Sequence, residues 1–405
     1  MFCVFPAGQA LFHGASCLGM TKKHLSYTTI ILLLVAVLIA CILISVSLGR
    51  YPIGIKELFG ILISKVVDIE PFWKPVQESL LLQHRLPRIV LACLVGCSLT
   101  AAGAAYQGVF HNPMAAPDIL GASSGAAFGA ALAILLNLSK TMIVVSAFGW
   151  SILSVVVVMY VGSRARGKRF LGLILAGIMM GSLASSGTSF IKMVADPDDQ
   201  LPAITYWLMG SLNGSTPKDV FFVLIPMMVG LVPLFLLRWR INLLTLGEEE
   251  ARTMGINVQR LRSWVIICAT LITAASVSVS GVIGWVGLVI PHMTRRLVGN
   301  NYRYLLPASM LLGSSFLLAV DSVSRNLLVT EIPIGILTSF IGIPFFFTGT
   351  QRYWVLCATG ISMCSMMTDM LLGGLEGIVF VVVMAVLGYL LPSNTHISDS
   401  VQHAK

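Results

Sequence analysis

Residues 29–48 read TIILLLVAVLIACILISVSL, an unbroken run without a single charge, and runs of the same kind recur along the chain. At about 1.5 Å per residue, such a run makes a helix roughly 30 Å long, the thickness of a bilayer's hydrocarbon core. In hydrocarbon every backbone N–H and C=O must find its partner inside the protein, which leaves only helices or closed barrels. The alternating segments of about ten residues that mark a membrane barrel are missing. The chain therefore reads as an all-α polytopic membrane protein. Its composition agrees: 57% of residues are hydrophobic, 11% are charged, and the mean hydropathy is +0.90.

Windows of about 20 apolar residues place spans near 29–48, 88–108, 118–137, 141–161 and 171–194. An acidic, proline-marked stretch from Asp196 to Pro217 follows. Further spans then fall near 219–239, 263–283, 284–298, 304–325 and 333–348. The segment 284–298 contains GWVGLVIPHM, so a broken or tilted helix is expected there. Ten spans divide into two halves of five. An odd number per half forces the second half to enter the membrane with opposite polarity, an inverted repeat. Gly103 stands ten residues before Pro113 and Gly281 ten before Pro291, a spacing that reads as a trace of that repeat.

Charge sets the orientation, because cytoplasmic connections are enriched in Lys and Arg. With the N-terminus inside, the inner connections hold Lys22 and Lys23, Arg164 to Arg169, Arg238 to Arg262, Arg295 to Arg303 and Arg352. Set against them are the acids Glu248, Glu249 and Glu250, whereas the outer connections carry slightly more acids than bases. The +9 net charge thus reports topology and calls for no nucleic acid. Residues 1–28 read as a cytoplasmic leader, with Met20 a more natural start than Met1.

Several function classes find no support. The eight cysteines form no CxxC and no cluster with His, so they read as small hydrophobes and no metal site or cofactor is expected. GSRARGKR, Gly162 to Arg169, copies the skeleton of a phosphate-binding loop but ends in Arg169 where Ser or Thr must hold magnesium. A proton-coupled carrier needs an ionisable group at mid-membrane. Lys192, Asp321 and Arg325 instead fall at outer span ends, where snorkelling is expected. His111 and His292 read as helix-end groups beside Pro113 and Pro291.

One polar insertion remains, TLGEEEARTMGINVQRLR, residues 245–262. Its acids suit the first turn of a short helix, Gly255 breaks that helix, and a second begins after it. Two short helices about a glycine make a rigid cytoplasmic knob for a partner to grip.

Here the residues resemble a known family. LGEEEARTMGI is similar to the coupling motif of the permease subunits of ABC importers for iron-siderophores, haem and cobalamin. Arg85 to Ala130, Ser278 to Gly299, LLPASMLLGSSFLLAVDSVSR and Glu331 to Phe346 resemble further blocks of that family in the same order. The likeness runs from about residue 29 to 346 and makes 29–348 the permease domain. After Phe346 the chain departs from the pattern, and 349–405 reads as an atypical hydrophobic tail with one or two extra spans.

The resemblance implies a homodimeric or heterodimeric permease of the bacterial plasma membrane, two cytoplasmic ATPase subunits and an extracytoplasmic binding protein. It assigns Gly247, Glu248, Ala251, Arg252, Gly255 and Ile256 to the ATPase cleft. It lines the substrate path with Gly177, Gly181, Ser185, Ser186, Thr188 and Ser189 of the fifth span, and with Gly335, Thr338, Ser339 and Gly342 of the tenth. Arg50 and Lys56 become candidates for docking the binding protein. The chain itself breaks no bond of its cargo, for which an iron-siderophore complex is the favoured expectation and haem or cobalamin the alternative.

Overall fold

The computed structural model describes residues 26–49, 51, 53–64, 72–164, 169–245, 251, 253–255, 257–328 and 330–347. Among them the elements are all helical. In chain order they are α1 (Tyr27–Ser47), α2 (Ile55–Ile63), α3 (Pro75–Ser79), α4 (Leu86–Val109), α5 (Ala122–Leu135), α6 (Lys140–Arg164) and α7 (Arg169–Val194). Then come α8 (Gln200–Met209), α9 (Pro217–Leu244), α10 (Val258–Ser280), α11 (Val286–Val298), α12 (Tyr302–Asn326) and α13 (Ile334–Phe347). Each of the ten expected spans corresponds to one helix, and α2, α3 and α8 are short additions that hydropathy did not single out. Residues 1–25 of the leader and the whole tail fall outside the described residues, and α1 already begins at Tyr27, so the boundaries drawn at 28 and 349 stay expectations.

A π-helical turn, Leu80–Arg85, joins α3 to α4. Pro87 sits in the first turn of α4; its ring lacks an N–H and crowds the preceding carbonyls, and a wider turn relieves both. The result is one continuous rod from Pro75 to Val109, the most buried of the long apolar helices. By contrast, α1, α7 and α9 leave most of their surface uncovered. The start of α9 is fixed by Thr216, whose hydroxyl accepts from the Asp219 N–H while the Asp219 carboxylate accepts from the Thr216 N–H at 2.9 Å. Pro217 takes the next position, where a missing N–H costs nothing.

Among the described residues seven helices are long and apolar enough to cross a bilayer. α5, α11 and α13, at 14, 13 and 14 residues, are not. α5 and α11 are each the third span of their half, and each follows an irregular stretch that ends in a left-handed residue, Gly121 at φ 73° and Trp285 at φ 67°. Span 118–137 is thus shorter than its hydropathy suggests, and the break expected near 284 is present. Irregular backbone at such depth is tolerated where protein covers it.

Packing repeats with a shift of five spans. α4 packs on α10, α11 and α12, and α10 packs on α4, α5 and α6. The trio α5, α6, α7 packs mutually, as does the trio α11, α12, α13. Two inverted halves therefore meet along α4 and α10. The Gly103/Gly281 spacing is not the trace of this repeat: Gly103 lies mid-helix against Gly287, while Gly281 ends α10 at φ 66°. The ten-residue match to Pro113 and Pro291 joins a loop proline to one inside α11.

At the seam the backbones touch. A methyl group at Gly103 would meet the Gly287 carbonyl, and one at Gly313 would lie 2.6 Å from the Gly96 carbonyl oxygen. Hydroxyls bridge the same surface: Thr100 Oγ1 donates to the Ser309 carbonyl at 2.9 Å, and Ser314 Oγ to the Cys93 carbonyl at 2.8 Å. Gly103→Ala should therefore lower stability by about 1–3 kcal/mol through overpacking. Gly149→Ala, where an added Cβ meets nothing within 4 Å, should be neutral or stabilising by up to about 1 kcal/mol. Thermal melting of the two detergent-purified variants beside the parent protein checks both.

Candidate functional site

Helical periodicity sorts the candidate path residues of α7 into two faces. Ser182, Ser185, Ser186 and Ser189 recur at helical spacing and all four are exposed. Gly177 and Thr188 point the other way and are buried, with Gly177 pressed on the Ile119 carbonyl and Gly181 lying nearby against Gly121 and Ser124. Thr188 donates to the Ala184 carbonyl at 2.9 Å and so satisfies itself within the helix. Ser182 belongs to the exposed row, although the resemblance did not assign it. Ser189 Oγ donates back to the Ser185 carbonyl at 3.0 Å, but lipid offers an uncovered row of hydroxyls no partner for the rest of its hydrogen-bonding capacity.

On α13 the candidates are more enclosed. Thr338 is buried and donates to the Gly335 carbonyl at 3.1 Å, and Ser339 donates to the same carbonyl at 2.8 Å from a half-buried position. Gly342 packs on the Trp285 ring. Gly335 lies at a junction of three backbones, its N–H facing the Gly210 carbonyl at 3.5 Å, where a Cβ would collide with the Met209 carbonyl. Gly210 (φ 72°) and Gly281 (φ 66°) complete this junction of α8, α10 and α13. Beside it opens a recess of about 460 Å³ with Asn137, Lys140, Tyr206, Ser211 and Ser280 on its walls.

The coupling segment is described in part. Ala251 is helical and fully buried, and Gly255 adopts φ 77° with open space around it. Asn257 then caps α10, its side chain accepting from the Arg260 N–H at 3.0 Å. Gly247, Glu248, Arg252 and Ile256 lie outside the described residues. So does Arg50, whereas Lys56 is exposed on α2.

Two of the three charges expected to snorkel are buried instead. Asp321 and Arg325 do not snorkel: Asp321 is 0% exposed and Arg325 9%. Arg88 Nε donates to Asp321 at 2.9 Å, Arg88 Nη1 to Glu331 at 2.9 Å, and Arg325 Nε pairs with Asp321 at 3.2 Å. Arg325 Nη2 also donates to Ser45 Oγ at 2.7 Å, and Arg85 Nη1 to the Val46 carbonyl at 2.8 Å. Desolvating such charges is tolerable only because they are paired. The signal available in the sequence was spacing: Arg85 and Arg88, and Asp321 and Arg325, each fall on one helical face. Among the described residues no cluster of His, Cys, Asp or Glu is suited to hold a metal ion. His111 and His292 are both exposed.

Held between two guanidinium groups, Asp321 is committed to the fold and is not free to carry a proton.

Comparison with known proteins agrees with this geometry. The model of the FecCD transport family matches residues 37–352. The molybdate import system permease protein MolB of Haemophilus influenzae is 39% identical over 321 residues, covering 79% of this chain and 95% of that protein. A Helicobacter pylori protein named "Probable iron chelatin transport system permease protein" is 43% identical over 267 residues, covering 66% and 81% respectively. Among solved structures, one described as "An inward-facing conformation of a putative metal-chelate type ABC transporter" superposes with a TM-score of 0.71 at 38% identity, over 79% of this chain and 98% of that one. A bundle of inverted halves, matched by these permeases along most of its length, belongs to the FecCD transport family and is a multi-pass ABC-importer permease of the cell membrane.

Proposed function

We propose that this permease moves an iron-siderophore complex inward by alternating access, as one half of a homodimer or heterodimer. Two cytoplasmic ATPase subunits drive it, and an extracytoplasmic binding protein delivers the cargo. The observation that carries the reading is the exposed row Ser182, Ser185, Ser186 and Ser189. In a dimer that brings the two α7 faces together, the row lines a polar passage, with Ser339 of α13 beside it. Hydroxyls offer many weak hydrogen bonds and no deep well, so a large hydrophilic chelate is held briefly and let go. The buried glycines and Thr188, Thr338 and Gly342 serve close packing of these two helices on their neighbours.

The ATPase seat is assigned to Gly247, Glu248, Ala251, Arg252, Gly255 and Ile256, and Arg50 and Lys56 to docking of the binding protein. The basic inner connections support a cytoplasmic N-terminus. The iron chelatin relative supports the cargo class. MolB, which matches over 95% of its length, favours molybdate as a second reading. Haem and cobalamin are the further alternatives.

Proteoliposomes holding the permease, its ATPase and its binding protein should accumulate a labelled ferric siderophore when ATP is supplied. Labelled molybdate, haem and cobalamin serve as competing cargoes, and accumulation of one of them in place of the ferric complex refutes the assignment. Arg252→Ala and Gly255→Val should each cut uptake at least about tenfold while leaving the permease folded. The valine does so by forcing a β-branched residue to positive φ, a strain of about 1–3 kcal/mol at the seat. Co-purification of the ATPase with each variant reads the same loss. In intact cells a membrane-impermeant thiol reagent should label Ser139→Cys, and should label Asn300→Cys only after permeabilisation; the reverse pattern would invert the orientation.

A further inference from the structure

The charged cluster at the start of α4 contains two unequal carboxylates. Arg88 divides its guanidinium between them: Nε reaches Asp321 Oδ1 and Oδ2 at 2.9 and 3.2 Å, and Nη1 reaches Glu331 Oε1 and Oε2 at 3.1 and 2.9 Å. Asp321 is fully buried and shared with Arg325, which is itself anchored on Ser45 of α1. Glu331 is 22% exposed at its side chain and stands on the non-helical connection between α12 and α13. Removing Asp321 would strand two buried guanidinium groups. Releasing Glu331 leaves Arg88 still paired with Asp321, which it shares with Arg325, and frees a carboxylate that water already reaches.

Glu331 also sits where it has leverage. Only Ile332 and Pro333 separate it from the first residue of α13, and the fixed φ of Pro333 stiffens that link. Ile332 is fastened to α12, its carbonyl accepting from Ser324 Oγ at 2.5 Å and its N–H reaching the Ser324 carbonyl at 3.3 Å. Gly335 is held by backbone contact at the junction with α8 and α10. The entry of α13 is thus gripped on three sides. The Glu331 grip alone among these is ionic, partly solvated and directed at α4, the helix that joins the two halves. Arg88 Nη2, buried and without a hydrogen-bond partner, offers Glu331 a neighbouring donor to move onto.

We propose that Glu331 is the releasable half of a two-carboxylate clamp on Arg88, a positioning residue that holds and frees the entry of α13 during the transport cycle. This rests on the reading of α13 as a pathway helix. Motion of one half against the other is read at the Arg88–Glu331 pair and passed through Pro333 to the helix that flanks the passage.

The test uses the permease–ATPase complex in lipid nanodiscs, comparing the parent with E331Q, E331D and D321N. Backbone hydrogen exchange over residues 333–342 should quicken on the order of tenfold in E331Q, with α4 and the middle of α12 unchanged, and return toward the parent rate in E331D. ATP hydrolysis without binding protein or cargo should rise about threefold in E331Q, as a loosened pathway helix weakens the link between cargo and ATP use. D321N should instead lower the yield of folded complex. Parent-like exchange in E331Q overturns the clamp whatever α13 does in transport. Faster exchange spread through α4 and α12 also overturns it, by making Glu331 a structural support. Faster exchange confined to 333–342 with unchanged ATP hydrolysis overturns its part in the cycle, and with it the reading of α13 rather than the geometry of the clamp.

Discussion

The contact on which the bundle depends is the approach of α4 to α11 and α12 at Gly103/Gly287 and Gly96/Gly313. Lipid supplies no hydrophobic force to press one apolar helix on another, so close packing and hydrogen bonds must do it. Glycine lets the backbones meet, and once they meet, side-chain donors reach across. Tyr106 OH lies 2.8 Å from Thr270 Oγ1 on α10, and Gln107 Nε2 donates to the Leu288 carbonyl at 3.3 Å. Every one of these bonds joins the first half of the chain to the second.

The same helix is pinned at both ends. At one end Arg85 and Arg88 bind α1, α12 and the entry of α13. At the other, Arg295 Nη1 donates to Gln107 Oε1 at 2.5 Å and Arg295 Nη2 to Tyr302 OH at 3.0 Å, while the Asn242 side chain accepts from the Tyr302 N–H at 3.0 Å. α4 is therefore a strut. The uncovered faces of α1, α7 and α9 lie at the periphery, where a partner subunit or lipid must complete them. A fixed centre with an adaptable rim suits a machine whose halves rock about their seam.

Much of this was legible in the chain. Long uncharged runs dictated helices, and hydropathy located each span because lipid imposes one rule along its whole thickness. The break before α11 announced itself through glycine and proline. The short α5 did not, because the apolar stretch Ile119–Leu120 continues its hydropathy outward while Gly121 turns the backbone. The hydroxyl row on α7 could be counted in the sequence, but which side of the helix was covered could not. The charged cluster escaped because Arg88 and Asp321, 233 residues apart, meet only through the fold. Charges near span ends invite a snorkelling interpretation until their partners are seen. The Gly103/Gly281 spacing misled for the converse reason: equal intervals in sequence matched positions with unlike roles.

We propose that transport through this chain is driven by ATP; among the described residues the one fully buried carboxylate, Asp321, is held by Arg88 and Arg325 and is not free to relay protons. Sealed proteoliposomes containing the complete importer, given a proton gradient but no nucleotide, test this most directly. The account predicts no accumulation of cargo until ATP is added, and unchanged ATP-driven uptake when an ionophore collapses the gradient. Uptake driven by the gradient alone would contradict it.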